Sequence, residues 1–255
     1  MSGPTAPTDQ QSLIEGLISV ESVLSSQSRK VYAVYVDRGA DESLFRHLKE
    51  LLGDVPVETC SRNALDAMAT GRSHGGILAK VGTRRFVSLP DLLPSQGAAF
   101  IAMLDGIEDP FNFGQAVRAL YAAGCDGMVV RPRNWTNAAG TVARASAGAS
   151  ELMPMADAES LDQAAIWFAE RGLIVVATAE NRDATPLHNV DLTRPLFLLI
   201  GGERRGVQRS FLSMAEQVIN IPYTRPFGRS LGTVAATAVV AFEIARQRKD
   251  AKEGI

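Results

Sequence analysis

The stretch "DGIEDPFNFGQAVR", Asp105 to Arg118, joins a short apolar run, "AAFIAMLD", to residues with helical spacing. The apolar run predicts a buried strand, and Gly124 is the predicted C-cap of the helix. The polar cluster therefore lies at the carboxyl end of a strand, where ligands bind in open α/β sheets. A ligand-free turn, with Asp109-Pro110 at its start and Asn112 as the helix cap, explains the same residues. These residues alone leave both interpretations open.

The chain on both sides of this stretch continues the alternation of strands and helices. From Ala98 to the C-terminus the strands are apolar throughout and are separated by helical segments. This pattern predicts an α/β domain, residues 98–255, with a parallel sheet covered on both faces. "ELMPM" is one of the predicted strands, and the last helix is predicted to start at about Ser230.

The N-terminal part of the chain predicts a smaller α/β domain over residues 12–82, with its first helix starting at Ser12. Residues 83–97 contain two prolines and mixed polarity, which predicts a linker. Residues 1–11 are small and polar, which predicts a disordered tail. The predicted organisation is therefore two α/β domains joined by a linker.

The composition excludes several classes of protein. The net charge of −2 at pH 7 argues against coating nucleic acid through bulk positive charge, although arginines cluster locally at Arg84/Arg85, Arg131/Arg133, Arg204/Arg205/Arg209 and Arg225/Arg229. The two cysteines are far apart in sequence, so neither a disulfide framework nor a metal site is predicted. The longest small-apolar stretch, Leu231 to Ala245, is too short to span a bilayer. We expect a cytoplasmic protein without membrane contact.

A second motif, "LLIGGERRG" from Leu198 to Gly206, also stands at the end of a predicted strand. Paired glycines let the backbone approach a ligand closely, and the following helix offers unpaired N–H groups. The spacing is G-G-x-x-x-G, so it matches neither the G-x-G-x-x-G of dinucleotide sites nor a Walker A loop. A nucleotide-dependent oxidoreductase is therefore a weak alternative.

A third motif, "INIPYTRPFGRSLGTVAATA" from Ile219 to Ala238, contains a strand, an irregular loop and a helix of small residues. Ser230 is the predicted N-cap of that helix. Small residues on a long helix favour close backbone packing, whatever the loop binds. The three motifs thus lie at the ends of three predicted strands of one sheet.

In this order, the three motifs resemble the signature motifs of the SpoU/TrmH branch of the SPOUT methyltransferases, over roughly Ala98 to Arg248. The first 80 or so residues, including "GLISVESVL" and "SHGGILAKV", resemble the substrate-binding domain that often precedes it. The resemblance implies a C-terminal SPOUT domain with a trefoil knot, a small RNA-binding domain before it, and a homodimer whose active site uses both subunits. It implies methyl transfer from S-adenosylmethionine (AdoMet) to ribose 2′-oxygens of RNA, with ribosomal RNA favoured over transfer RNA.

The resemblance also implies site residues. The expected catalytic residues are Asn112, Arg118 and Glu203. The expected cofactor-binding residues are Thr178, Ala179, Gly201, Gly202, Ile221, Ser230 and Leu231. Ile221 and Leu231 are expected to act largely through backbone groups, and no metal is expected.

The third motif departs from the family pattern SLNVS, because this chain has "SLGTV" from Ser230 to Val234. Aligned without a gap, Gly232 replaces the Asn and Val234 replaces the second Ser. With a one-residue deletion, Thr233 falls on the Ser position and a hydroxyl survives. The Asn amide is lost in both alignments, and losing one positioned hydrogen-bonding group can cost orders of magnitude in rate. A non-catalytic RNA-binding or assembly protein that keeps the knotted fold is therefore the alternative hypothesis.

Overall fold

A computed structural model describes residues 11–40, 48–71, 74–131, 138–180, 183–202 and 206–254. The chain forms two compact units, residues 1–85 with 134–152 and residues 86–133 with 153–255. The domain boundaries drawn from the sequence put residues 134–152 in the C-terminal domain, whereas their contacts place them in the first unit. Among the described residues, no helix is long and apolar enough to cross a membrane.

Strands and helices alternate along most of the chain in both units. They are β1 (Ser12–Glu15), α1 (Leu17–Ser26), β2 (Arg29–Asp37), β3 (Val57–Cys60), α2 (Arg62–Met68), β4 (Ile77–Arg84), β5 (Phe100–Asp105), α3 (Pro110–Ala122), β6 (Gly127–Val130), α4 (Ala139–Ala145), α5 (Ala149–Leu152), β7 (Met155–Asp157), α6 (Leu161–Ala169), β8 (Ile174–Thr178), β9 (Thr185–Pro186), β10 (Leu196–Gly201), α7 (Arg209–Met214), β11 (Gln217–Asn220) and α8 (Thr233–Glu253). Residues 48–52 are helical, and short 3₁₀ turns span Leu89–Leu92 and Leu187–Asn189.

The first unit contains a mixed sheet with the strand order β1-β4-β2-β3. Strand β4 runs antiparallel to β1 and β2, and β3 runs parallel to β2. The prediction of a helix from Ser12 was wrong, because Ser12 to Glu15 pair with β4 as a strand. Gly16, with φ +87°, ends that strand, and α1 begins only at Leu17.

Residues 138–152 fold as two short helices of the first unit. The prediction of a strand at "ELMPM" was wrong for all but its last residue, because α5 extends to Leu152 and β7 begins only at Met155. Helix α4 lies so close to β1 that a Cβ on Gly140 would come within 2.7 Å of the Leu13 carbonyl oxygen. Small residues therefore allow this helix to lie directly against the edge strand.

Buried ionic contacts hold the same helices within the unit. Arg144 bonds to the buried Glu15 at 2.8 Å, and Glu151 bonds to Arg29 at 3.0 Å. Arg84 lies 3.6 Å from Glu151 and donates to the Ser150 carbonyl. Arg84, one of the arginines that cluster in the sequence, ends β4, and its side chain takes part in these buried contacts.

The second unit contains a seven-stranded sheet with the order β7-β6-β5-β10-β8-β11-β9, and every pair is parallel. This confirms the prediction of an α/β domain with a parallel sheet. One face packs against α6 and α7 through residues such as Phe168 and Phe211. Helices α3 and α8 pack against each other, and α8 also contacts β10. Because all seven strands run the same way, their carboxyl ends share one edge.

Two predicted helix caps differ from the structure. Asp109, not Asn112, caps α3, since its carboxylate accepts hydrogen bonds from the N–H groups of Phe111 and Asn112. The N-cap of α8 is Gly232, and Ser230 lies two positions earlier in the exposed loop. Asp109 is the N-cap because it directly precedes Pro110, and proline is suited to the first position of a helix.

Candidate active site

The three sequence motifs converge at the carboxyl edge of the parallel sheet. Gly201 ends β10 and is the register partner of Asp105, which ends β5. On the other side of β10 lies β8, which ends at Thr178, and Ile219 on β11 is the partner of Thr178. The ends of β5, β10, β8 and β11 are therefore neighbours, as the sequence predicted for this edge.

A cavity of about 410 Å³ opens at this edge. All seven residues predicted to bind the cofactor line it: Thr178, Ala179, Gly201, Gly202, Ile221, Ser230 and Leu231. Side chains and backbone from β8, β10, β11 and the loop before α8 thus share one cavity. The structure brings these seven residues together, although they span more than fifty positions of sequence.

The paired glycines of the second motif are required by the backbone itself. A Cβ on Gly201 would overlap the backbone of Gly206 and Val207, and a Cβ on Gly202 would overlap the Gly106 carbonyl. Gly206, with φ +62°, donates its N–H to the Gly202 oxygen at 2.9 Å. Gly201 and Gly202 therefore pack directly against neighbouring backbone at the cavity, in addition to any close approach that they offer a ligand.

Tyr223 lines the cavity within the third motif, and it was not identified as a site residue from the sequence. Its hydroxyl accepts a hydrogen bond from the Leu231 N–H at 2.9 Å, and its ring makes an edge contact with Phe227. Both Tyr223 and Leu231 line the cavity. A tyrosine eight positions from its backbone partner carries no periodic signal, so only the folded loop shows the contact.

Thr233 links the third motif to the second. It is buried in the first turn of α8, and its hydroxyl lies 3.5 Å from the Gly201 carbonyl oxygen. Thr233 also lines the cavity, whereas Gly232 is exposed. Of the two alignments of "SLGTV", this geometry favours the one with a deletion, because it keeps a hydroxyl at the cavity.

The predicted catalytic residues are not gathered in the same way. Asn112 lies in the first turn of α3, and Arg118 lies exposed six residues later, which turns the two side chains about 120° apart around the helix. Neither residue lines the cavity. Glu203 lies outside the described residues. One copy of the chain therefore presents the predicted cofactor residues in a cavity and Arg118 on an open helix surface.

The cavity fits a nucleoside-sized ligand such as AdoMet. Its volume falls in the usual range for small-molecule sites, and aliphatic side chains, glycines and hydroxyls surround strand-end backbone groups. Glu180, which is exposed, is its one charged side chain among the described lining residues. A site of this kind recognises a ligand mainly by shape, apolar contact and backbone hydrogen bonds.

Comparisons with known proteins agree with this geometry. The model of the SpoU rRNA Methylase family matches residues 99–242, and the model described as RNA 2′-O ribose methyltransferase substrate binding matches residues 13–87. The chain belongs to the SpoU rRNA methylase family. The resemblance inferred from the three motifs is thereby confirmed, together with the enzyme class, RNA 2′-O-ribose methyltransferase.

Similar proteins cover nearly the full length of this chain. It is 31% identical to the 23S rRNA (guanosine-2′-O-)-methyltransferase RlmB of Photorhabdus laumondii, covering 92% of this chain and 98% of that protein. The RlmB of Shewanella oneidensis is 28% identical, with coverages of 94% and 99%. Among solved structures, the SpoU methyltransferase AviRb from Streptomyces viridochromogenes, in complex with AdoMet, has a TM-score of 0.79 at 20% identity, covering 94% of this chain and 92% of AviRb. The last comparison shows that the fold is shared.

Proposed function

We propose that this protein methylates the ribose 2′-oxygen of a guanosine in 23S ribosomal RNA. The observation that supports this most is the single cavity at the sheet edge, lined by all seven residues expected to bind AdoMet. The choice of RNA rests on the RlmB proteins of P. laumondii and S. oneidensis, which match this chain over nearly its full length. An rRNA substrate also implies a cytoplasmic enzyme.

The residues of the cavity bind and orient the cofactor. When bound, AdoMet supplies a methyl group on a sulfonium, which is already a strong electrophile. Backbone groups of Ile221 and Leu231 hold it on one side of the cavity, and Gly201, Gly202 and Gly206 line the cavity as well. Their contribution is to fix the donor in line with the ribose hydroxyl, since alignment of two reactants is itself a large part of catalysis.

Arg118 and Asn112 act on the RNA. A guanidinium is effectively always protonated in proteins, so Arg118 is unsuited to serve as a base. It fixes an RNA phosphate and polarises the 2′-hydroxyl, while the proton leaves through phosphate, Glu203 or water.

Replacing Arg118 with Ala should lower single-turnover methyl transfer about 100-fold or more and leave the Kd of AdoMet unchanged, because Arg118 is outside the cavity. Wild-type transfer by this variant would remove Arg118 from the mechanism.

The active form is a homodimer in which each cavity receives Arg118 from the other copy. In support, α3 carries the exposed Tyr121 and α8, which packs against it, carries the exposed Val239 and Phe242. Exposed apolar side chains on two adjacent helices are typical of a subunit interface.

We further propose that the second unit has the trefoil knot of the SPOUT fold, on the strength of family membership.

Mixing two inactive variants tests the shared site. Arg118→Ala removes the RNA-facing group, and Ala179→Trp fills the cavity. If each site uses both copies, dimers formed from the two variants contain one intact site, and about a quarter of wild-type activity should return. A monomer by analytical ultracentrifugation, or no recovery from verified mixed dimers, would contradict the shared site.

The proposed reaction is tested with the cofactor and with RNA. Calorimetry with AdoMet comes first, followed by tritium transfer from labelled AdoMet into unmethylated 23S rRNA transcribed in vitro and into a tRNA pool. We expect binding and transfer to a guanosine ribose of 23S rRNA. Transfer to tRNA alone would refute the proposed substrate, and cofactor binding without transfer to any RNA would favour the assembly protein.

A further inference from the structure

The first unit contains a groove of about 560 Å³ on one face of its sheet. Leu13, Tyr35 and Lys80 belong to the sheet, Met68 and Thr70 close one side, and Thr141 on α4 closes the other. The opposite face of the sheet is packed with apolar side chains such as Val34, Ile77 and Ala79. One face of the sheet is therefore the core, and the Lys80 groove is the open part of the other.

Lys80 occupies an unusual place for a lysine. It lies on β4, which has a strand on each side, with Leu13 of β1 and Ala33 of β2 as its register partners. Lysine is depleted in strands, and a half-buried ammonium normally finds a carboxylate. Among the described residues, none forms an ion pair or a hydrogen bond with the Lys80 ammonium. Its positive charge is available to a ligand.

One carboxylate on this face, that of Glu15, is already occupied. Glu15 follows Leu13 by two positions on β1 and so points to the same face. Its carboxylate accepts hydrogen bonds from the N–H and hydroxyl of Thr70, both at 2.6 Å, and is paired with Arg144. The Glu15 carboxylate is therefore already bonded to Thr70 and Arg144 and forms no ion pair with Lys80.

An aromatic ring stands beside the free ammonium. Tyr35 of β2 is the register partner of Leu78, two positions before Lys80, so Tyr35 and Lys80 are diagonal neighbours, about 7–8 Å apart and within reach of long side chains. The ring is partly exposed and lines the groove. An aromatic face next to a cation is the combination with which proteins hold single-stranded nucleic acid, one by stacking on a base and the other by pairing with a phosphate.

We propose that the Lys80 groove binds one unstacked nucleotide of the RNA substrate, with its base on Tyr35 and its phosphate at Lys80. The segment that contains both residues matches the substrate-binding family model, which supports RNA as the occupant. Helix α4 lies directly against β1 and forms one side of the groove. The inference rests on the proposed function only in taking the substrate to be RNA.

The test compares two charge-removing variants of the full-length enzyme. Lys80→Gln removes the ammonium in the groove, and Lys49→Gln removes an exposed ammonium from the helical segment 48–52 of the same unit. With unmethylated 23S rRNA transcribed in vitro, we expect Lys80→Gln to raise the Kd for RNA about 3- to 10-fold and to reduce the slope of log K against log salt by about 0.7. Lys49→Gln should change neither value, and both variants should bind AdoMet with the wild-type Kd.

The aromatic contact has its own pair of variants. Tyr35→Leu removes the stacking surface and should weaken RNA binding about 5-fold or more, whereas Tyr35→Phe keeps the ring and should bind as the wild type does. Circular dichroism and melting temperature report whether Tyr35→Leu has lost its fold, and Lys80→Gln decides the matter if it has. If Lys80→Gln keeps the RNA affinity and the salt slope of the wild type, the inference is overturned. A protein ligand in the groove would give that same result.

The two proposals fail in different ways. If Lys80→Gln binds RNA normally while the enzyme methylates 23S rRNA, the groove is not a nucleotide site and the proposed function stands. If the wild-type protein transfers methyl to no RNA but Lys80→Gln weakens RNA binding, the proposed function fails and the groove stands.

Discussion

The cavity at the sheet edge and the buried ionic contacts of the first unit are built from opposite kinds of groups. Glycines, aliphatic side chains and backbone groups line the cavity, whereas Glu15, Glu151 and their arginine partners hold α4 and α5 in place. The cavity requires residues without a side chain at positions 201 and 202, because a Cβ there would overlap neighbouring backbone. The ionic contacts depend on charges that are present. The cavity should therefore be sensitive to one added methyl group, and the first unit to one lost charge.

The largest effect should follow from Gly201→Ala. The added Cβ would overlap the backbone of Gly206 and Val207, which cannot move as a flexible side chain can. We expect AdoMet binding to be abolished in calorimetry, and the free energy of unfolding to fall by more than about 3 kcal/mol if the chain still folds. Gly228→Ala, in the loop that forms another wall, meets open space and should be neutral. Equal behaviour of the two variants would contradict the requirement for a glycine at the cavity wall.

The second effect should come from Glu151→Gln. This change leaves Arg29 and Arg84 buried without their carboxylate, and breaking a buried pair typically costs about 3–5 kcal/mol. We expect a lower free energy of unfolding for the first unit and unchanged AdoMet binding. Glu50→Gln removes an exposed carboxylate of the same unit and should have little effect. A Glu151→Gln variant as stable as Glu50→Gln would show that the ionic contacts add nothing.

The pH dependence of the wild type should show the same contact. Burial opposes ionisation of Glu151, but Arg29, Arg84 and Ser28 outweigh it and hold the pKa of Glu151 below its ordinary value. Because the folded pKa is the lower one, ionised Glu151 stabilises the fold above the unfolded pKa of about 4.3, and this stability is lost as the pH falls through the folded value. The difference in stability between the wild type and Glu151→Gln should therefore shrink in acid, as measured by urea unfolding.

The same contrast explains what the sequence could predict. Apolar strands and the polar or glycine-rich stretches that follow them are local signals, so the sequence predicted the parallel sheet and the edge where the three motifs meet. The seven residues that line one cavity came from the resemblance to the SpoU/TrmH family. The partners Arg29 and Glu151 are 122 positions apart, and the small residues of α4 and α5 have no clear period, so the packing of this segment left no local trace. The cap of α3 was misassigned although a local signal was present, since Pro110 suits the first helical position and so indicates Asp109 as the cap.

A smaller effect should follow from Thr233→Val, which keeps the shape of the side chain and removes its hydroxyl. That hydroxyl lies 3.5 Å from the Gly201 carbonyl oxygen, where the second and third sequence motifs meet at the cavity. Losing one hydrogen bond of about 1 kcal/mol should weaken AdoMet binding about 5-fold. Thr233→Ser keeps the hydroxyl and should bind AdoMet as the wild type does. If both variants bind equally well, the hydroxyl that survives in "SLGTV" is not used.

The smallest effect should come from Gly232→Asn, which introduces the amide of the family motif. Gly232 has φ −59° at the N-cap of α8, a conformation that Asn adopts readily and a position that Asn favours. We expect a gain of a few tenths of a kcal/mol in stability and a kcat within about twofold of the wild type, since twofold corresponds to only about 0.4 kcal/mol. The reason is that Thr233, not Gly232, meets the cavity. A rise in single-turnover methyl transfer of tenfold or more would show that position 232 faces the reacting atoms after all, and that the alignment without a gap is correct.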